Sequence, residues 1–134
     1  MHLLLPTLTL LATLGTLGTA TTADTLRPKN WDLRLLKPGC QPSGSNFDIS
    51  VYHAQGVSDR PCMDLTTVRG LNLSLVDTVS WKSPSDPQFD LCMYARGDCA
   101  ADGLVGEIRD GWGVCVGYAK WKGWKAVEKG AECD

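Results

Sequence analysis

Two stretches decide the fold: Phe47-Asp48-Ile49-Ser50-Val51-Tyr52 and, about 42 residues on, Phe89-Asp90-Leu91-Cys92-Met93-Tyr94. Both have the form Phe-Asp-apolar-x-apolar-Tyr. Apolar residues recurring at every second position are the signature of a strand with one buried face. Each stretch runs on to a glycine, Gly56 in the first and Gly97 in the second. Further along, Ser80-Trp81-Lys82-Ser83 is paralleled by Lys120-Trp121-Lys122-Gly123-Trp124-Lys125. Residues 47–83 and 89–127 therefore read as two repeats, joined through Pro84-Ser85-Asp86-Pro87.

The intervening sequence is also β in character. Leu71-Asn72-Leu73-Ser74-Leu75-Val76 alternates, Thr78–Trp81 follows it, Gly113–Tyr118 is a short apolar run, and Trp124–Val127 is closed by Gly130. Short strands at roughly 10-residue spacing, separated by turn residues, point to an antiparallel sandwich or barrel. The expected fold is all-β: a small disulfide-stapled sandwich of two Greek-key-like repeats. Asp64–Arg69 reads as a helical turn. Residues 24–39, with Pro28 and Pro38, read as an irregular lead-in, and residues 40–134 as a single cysteine-rich β domain.

The first 23 of the 134 residues carry no Asp, Glu, Lys or Arg and are rich in leucine. Thr, Gly and Pro break the run, which falls short of the roughly 20 continuous apolar residues of a bilayer span. It suits a secretory leader, with cleavage expected after Ala20 or Ala23. Beyond it stand six cysteines, Cys40, Cys62, Cys92, Cys99, Cys115 and Cys133. An even count in an oxidising compartment reads as three disulfides, each contributing about 2–4 kcal/mol. Fifteen pairings are open, including a bridge between the end cysteines Cys40 and Cys133 and a short loop closed by Cys92 and Cys99. Zinc is not expected, because no two cysteines stand as close as C-x2-C and only His53 remains as a histidine past the leader.

Two consecutive β units of about 42 residues resemble the βγ-crystallin fold as used by fungal small secreted cysteine-rich proteins, among them effectors and killer toxins. The residues carrying the resemblance are Phe47–Gly56, Phe89–Gly97, Trp81, Trp121-Lys122-Gly123-Trp124 and the cysteine spacing after residue 40. The resemblance implies a double Greek key and an effector-like role. The sequence departs from the crystallin pattern at two places. The tyrosine corner is not cleanly formed at Tyr52 or Tyr94, and Asp77-Thr78-Val79-Ser80-Trp81 only partly matches a calcium loop, so calcium binding is not carried over.

Three candidate sites stand out. Arg96-Gly97-Asp98, followed by Cys99, would present a guanidinium and a carboxylate on a tethered loop of the kind integrin-type receptors recognise, although Gly97 is wanted for a turn in any case. Lys120, Lys122 and Lys125 surround Trp121 and Trp124, a combination suited to sugars, anionic lipid or a microbial wall. On a regular strand the two tryptophans face opposite sides. A bulge at Gly123 would turn both into the core, and core packing is the expectation. Asn72-Leu73-Ser74 is a glycosylation sequon.

The net charge of −2, from 13 basic and 15 acidic residues, argues against a general nucleic-acid binder. It also sits poorly with a membrane-active toxin, since such peptides are cationic. No nucleophile or metal motif surrounds His53, and no carboxylate pair is singled out as a glycosidase dyad. The expectation is a secreted, monomeric, non-catalytic binding protein without cofactor, metal or membrane anchor. Its target would be an extracellular protein or glycan of a host or competitor. A killer-type toxin and a small carbohydrate-binding module or hydrolase are the alternative readings.

Overall fold

A computed structural model describes residues 29–134; the expected leader lies outside them. Among the described residues eight strands form two antiparallel four-stranded sheets. The strands are β1 (Trp31–Leu36), β2 (Ser50–Gly56), β3 (Arg60–Asp64), β4 (Thr78–Lys82), β5 (Phe89–Tyr94), β6 (Leu104–Ile108), β7 (Trp112–Gly117) and β8 (Gly123–Glu128). Sheet A runs β2-β1-β4-β7 and sheet B runs β3-β8-β5-β6. No helix among the described residues is long and apolar enough to cross a membrane.

The expectation for residues 24–39 is corrected by β1. Far from being an irregular lead-in, Trp31-Asp32-Leu33-Arg34-Leu35-Leu36 is an inner strand of sheet A. Trp31, Leu33 and Leu35 alternate inward and are at most 1% exposed, while Asp32 and Arg34 take the outer face. Pro38 stands just past the end of the strand, as strand ends allow. The two Phe-Asp stretches also prove unlike. Phe89–Tyr94 is an inner strand, whereas Phe47–Ile49 is a 3-10 turn that enters the edge strand β2 at Ser50. Asn46, left-handed at φ 54°, turns the chain there, and its Nδ2 donates to the Gln41 carbonyl (2.9 Å).

Leu71–Val76 is likewise not a strand. The Asn72 Oδ1 accepts from the Ser74 amide (3.0 Å) and hydroxyl (2.6 Å), and Leu73–Leu75 forms a 3-10 turn with Leu75 exposed. A short side-chain oxygen that captures nearby backbone competes with a strand ladder. The turn expected within Asp64–Arg69 is present as a 3-10 segment, Leu65–Thr67, capped by Asp64. Nor do the halves keep to themselves: β3 of the first pairs with β8, and β7 of the second pairs with β4.

The core lies between the sheets. Trp31 stacks on Trp81 with centroids 5.6 Å apart and meets Trp124 edge-on at the same distance. Such pairs contribute about 0.5–1.5 kcal/mol each beyond the area they bury. Leu33, Leu35 and Val79 from sheet A and Leu91, Met93 and Ala126 from sheet B complete the layer. Three bridges hold the periphery: Cys40–Cys115, Cys62–Cys99 and Cys92–Cys133. Neither the Cys40–Cys133 link nor a Cys92–Cys99 loop forms: Cys40 is bonded to Cys115 of β7, Cys92 to Cys133 of the C-terminal segment, and Cys99 to Cys62 of β3.

Candidate functional site

The outer face of sheet A gathers charge and exposed aromatic surface. Directly opposed residues in an antiparallel pair share a face. The register sets Asp32 opposite Lys82, Arg34 opposite both His53 and Ser80, and Lys82 opposite Trp112. The Asp32 carboxylate bridges the row, accepting from Arg34 Nε (3.1 Å) and facing His53 Nε2 (2.7 Å). A groove of about 290 Å³ opens here, with Lys29, Arg34, Lys82, Asp32 and Phe47 in its walls.

Two aromatic rings stand at its flanks in the open. Phe47 is 69% exposed and Trp112 is 54% exposed. The Arg34 guanidinium lies 4.7 Å from the Phe47 ring centre and the Lys82 ammonium 5.1 Å from that of Trp112. Each cation–π contact contributes about 0.5–1 kcal/mol at such exposure, enough to bias the rings toward one position. Phe47 is further placed by its loop, where Arg34 Nη1 donates to the Ser45 carbonyl (3.3 Å) and Cys40 is bonded to Cys115 of β7. The groove therefore combines three cations, one carboxylate already engaged by its neighbours and the Phe47 ring, with the Trp112 ring beside Lys82 outside its walls. It does not assemble a hydroxyl relay: Ser80 and His53 stand on strands separated by β1, about 10 Å apart at two strand spacings.

The outer face of sheet B is built differently. Asp90, Cys92 and Tyr94 point outward from β5, yet all three are fully buried. The C-terminal segment covers them. Cys133 is bonded to Cys92, the Gly130 amide donates to Asp90 Oδ2 (2.9 Å), and Lys125 Nζ donates to the Asp134 main-chain oxygen. Arg109 Nη1 reaches both Asp90 Oδ2 (2.8 Å) and the Ala131 carbonyl (2.8 Å). The hydrogen bond from Arg109 Nε lowers the Glu107 pKa below the usual carboxylate range, and that bond is also the main reason Arg109 is raised. Burial raises the Tyr94 phenol.

The sites singled out in the sequence fall elsewhere. Arg96 and Asp98 do not splay apart: Arg96 folds back on Asp98 (3.5 Å) and Asp102, and Asp102 is the main cause of its raised pKa. Gly97 does not supply a left-handed turn. A Cβ there would run into the Asp64 carboxylate, which would have to move aside; Cys99 takes the positive φ of 53° instead. Trp121 and Trp124 are 2% and 0% exposed, so neither presents a surface to a ligand. No bulge at Gly123 is needed, since β8 pairs with β5 without interruption from Glu128 to Gly123 and Trp121 enters the core from the preceding loop. Lys120 and Lys122 remain exposed and Lys125 lies partly buried over the Tyr94 ring. Asn72 is exposed, with its Oδ1 engaged in the turn.

Sequence reasoning missed Lys29, Asp32, Arg34, Phe47, Lys82 and Trp112 as a group. The alternation of Trp31 to Leu35 was the available signal, since it sends Asp32 and Arg34 to one face. What joins them to Lys82 and Trp112 is strand order, which no local pattern encodes. Compared with family models, curated proteins and solved structures, the chain finds no match in any of the three.

Proposed function

We propose that this is a secreted, non-catalytic binding module, effector-like in its use, that engages an extracellular partner through the outer face of sheet A. The observation that carries the reading is the pair of exposed rings, Phe47 in the wall of a groove of about 290 Å³ and Trp112 beside Lys82 of the same groove, each held by a cation. Aromatic and arginine side chains dominate binding surfaces because they bury much area while losing little conformational freedom. The three disulfides suit an oxidising compartment.

The underlying architecture is proposed to be a duplicated Greek key of the crystallin type. Support comes from strand order: β2-β1-β4 of sheet A matches β6-β5-β8 of sheet B, and each sheet is completed by the third strand of the other half, β7 or β3. On this reading the unit begins at β1, so that Trp31-Asp32-Leu33-Arg34-Leu35 corresponds to Phe89-Asp90-Leu91-Cys92-Met93. The repeat beginning at Phe47 is then one strand out of frame. Fold alone does not assign a function, and the binding role rests on the face described above.

The test is a panel of glycans and receptor ectodomains, probed with the oxidised protein and with Trp112→Ala and Phe47→Ala variants. At least one ligand is expected to bind the wild type and to lose about tenfold or more in affinity in either variant, with melting temperatures unchanged. Ligands held equally by both variants, or turnover of a hydrolase substrate panel, would refute the reading.

A further inference from the structure

Building on that reading of sheet A, we infer that the ligand is an extended acidic peptide segment of a partner protein, seated on the open face as the chain's own C-terminal segment is seated on sheet B. Two independent observations lead there. The first is charge. Lys29, Arg34 and Lys82 face the groove, and its single carboxylate, Asp32, is already shared between Arg34 and His53. The face therefore keeps an excess of positive charge in a protein whose net charge is −2, and complementary charge is what selects and orients partners at such a rim.

The second observation is a precedent within the molecule. Asp32 and Asp90 occupy corresponding places, the second residue of an inner strand on the outer face of its sheet. Over Asp90 lies Gly130-Ala131-Glu132-Cys133-Asp134, an acidic segment whose Ala131 carbonyl is received by Arg109 and whose last residue is received by Lys125. Asp90 is consequently sealed from solvent, while the Asp32 side chain keeps 17% of its exposure. On sheet A, Arg34 already donates to Asp32 and to the Ser45 carbonyl, which leaves Lys29 and Lys82 in the groove wall to receive a ligand. A peptide there would place carbonyls and carboxylates on the cations and apolar side chains against Phe47 and Trp112.

The experiment pans a phage-displayed library of random dodecapeptides on the purified oxidised protein. The enriched peptide is then titrated, as a fluorescent synthetic copy, against wild type and a Lys29→Glu/Lys82→Glu variant. Enriched sequences are expected to carry two or more acidic residues, and the variant should lose at least about tenfold in affinity, since like charges across a rim repel. Affinity should also fall with added salt. Melting curves of the variant should match the wild type. Absence of enrichment, neutral or basic consensus sequences, affinity unchanged within twofold in the variant, or occupancy of the face only by an acidic polysaccharide such as polygalacturonate would overturn the inference. If a partner is lost in Trp112→Ala but its recognised segment is not acidic, only this inference fails. If Trp112→Ala loses nothing, the reading of sheet A falls with it.

Discussion

Arg109 is expected to be the most consequential single charge in the protein. Its Nη1 holds Asp90 Oδ2 at 2.8 Å, and Asp90 is 0% exposed, with the Gly130 amide at 2.9 Å as its other donor. An Arg109→Met substitution leaves that carboxylate buried with a single N–H. Breaking a buried pair from one side costs about 3–5 kcal/mol. Because the Arg109 side chain is itself 36% exposed, solvent takes over part of its role, and the lower end, about 3 kcal/mol, is the expected loss. For a domain of this size that corresponds to a fall in melting temperature of about 12 °C, at roughly 4 °C per kcal/mol. The double variant Asp90→Asn/Arg109→Met removes the stranded charge and should recover more than half of the loss. Thermal and urea melts measure both, and hydrogen exchange at the Gly130 amide should quicken in the single variant as the C-terminal segment loosens. A loss below about 1 kcal/mol, or a double variant no better than the single one, would refute the view that a buried carboxylate anchors the segment.

Other outcomes follow from the same geometry. Bridges spanning separations of 75, 37 and 41 residues are each worth about 4 kcal/mol in restricted chain entropy. Full reduction should therefore abolish the cooperative melt followed by circular dichroism. Gly123→Ala would drive a Cβ into the Arg96 carbonyl and to 2.9 Å from Cys99 Sγ; backbone and a bridged sulfur yield little, so a loss of about 1–3 kcal/mol is expected in urea melts. The Glu107 pKa is lowered in the fold, chiefly by the hydrogen bond from Arg109. Its contribution is complete above its ordinary value near 4.3 and is lost as pH falls through the lower folded value. Melts between pH 2 and 6 should show wild type ahead of Glu107→Gln at the upper end and level with it at the lower end.

Much of the β content was legible along the chain. Phe89–Tyr94, Thr78–Trp81, Gly113–Tyr118 and Trp124–Val127 lie on observed strands because alternation and flanking glycines are local signals. Leu71–Val76 shows how the same signal misleads: a leucine at every second position looked like a strand, and one asparagine oxygen turned it into a 3-10 segment. In β1 the alternation is present in full between Trp31 and Leu35, but Pro28 and Pro38 on either side mask it as a local signal. The site was less legible than the fold, for Trp121 and Trp124 drew notice by composition, and composition does not say which side of a sheet a ring takes.

By itself the amino-acid sequence determined that this chain alternates into short strands and carries six cysteines in an even set, since both follow from neighbours along the backbone. Only the tertiary structure decided which cysteines meet, that β3 and β7 are exchanged between the sheets, and that one outer face is sealed by the C-terminal segment while the other stays open between Phe47 and Trp112. The reason is physical. Periodicity reports which residues share a face of one strand, but lateral order is set by which sheets bury the most apolar surface together, a property of the whole chain.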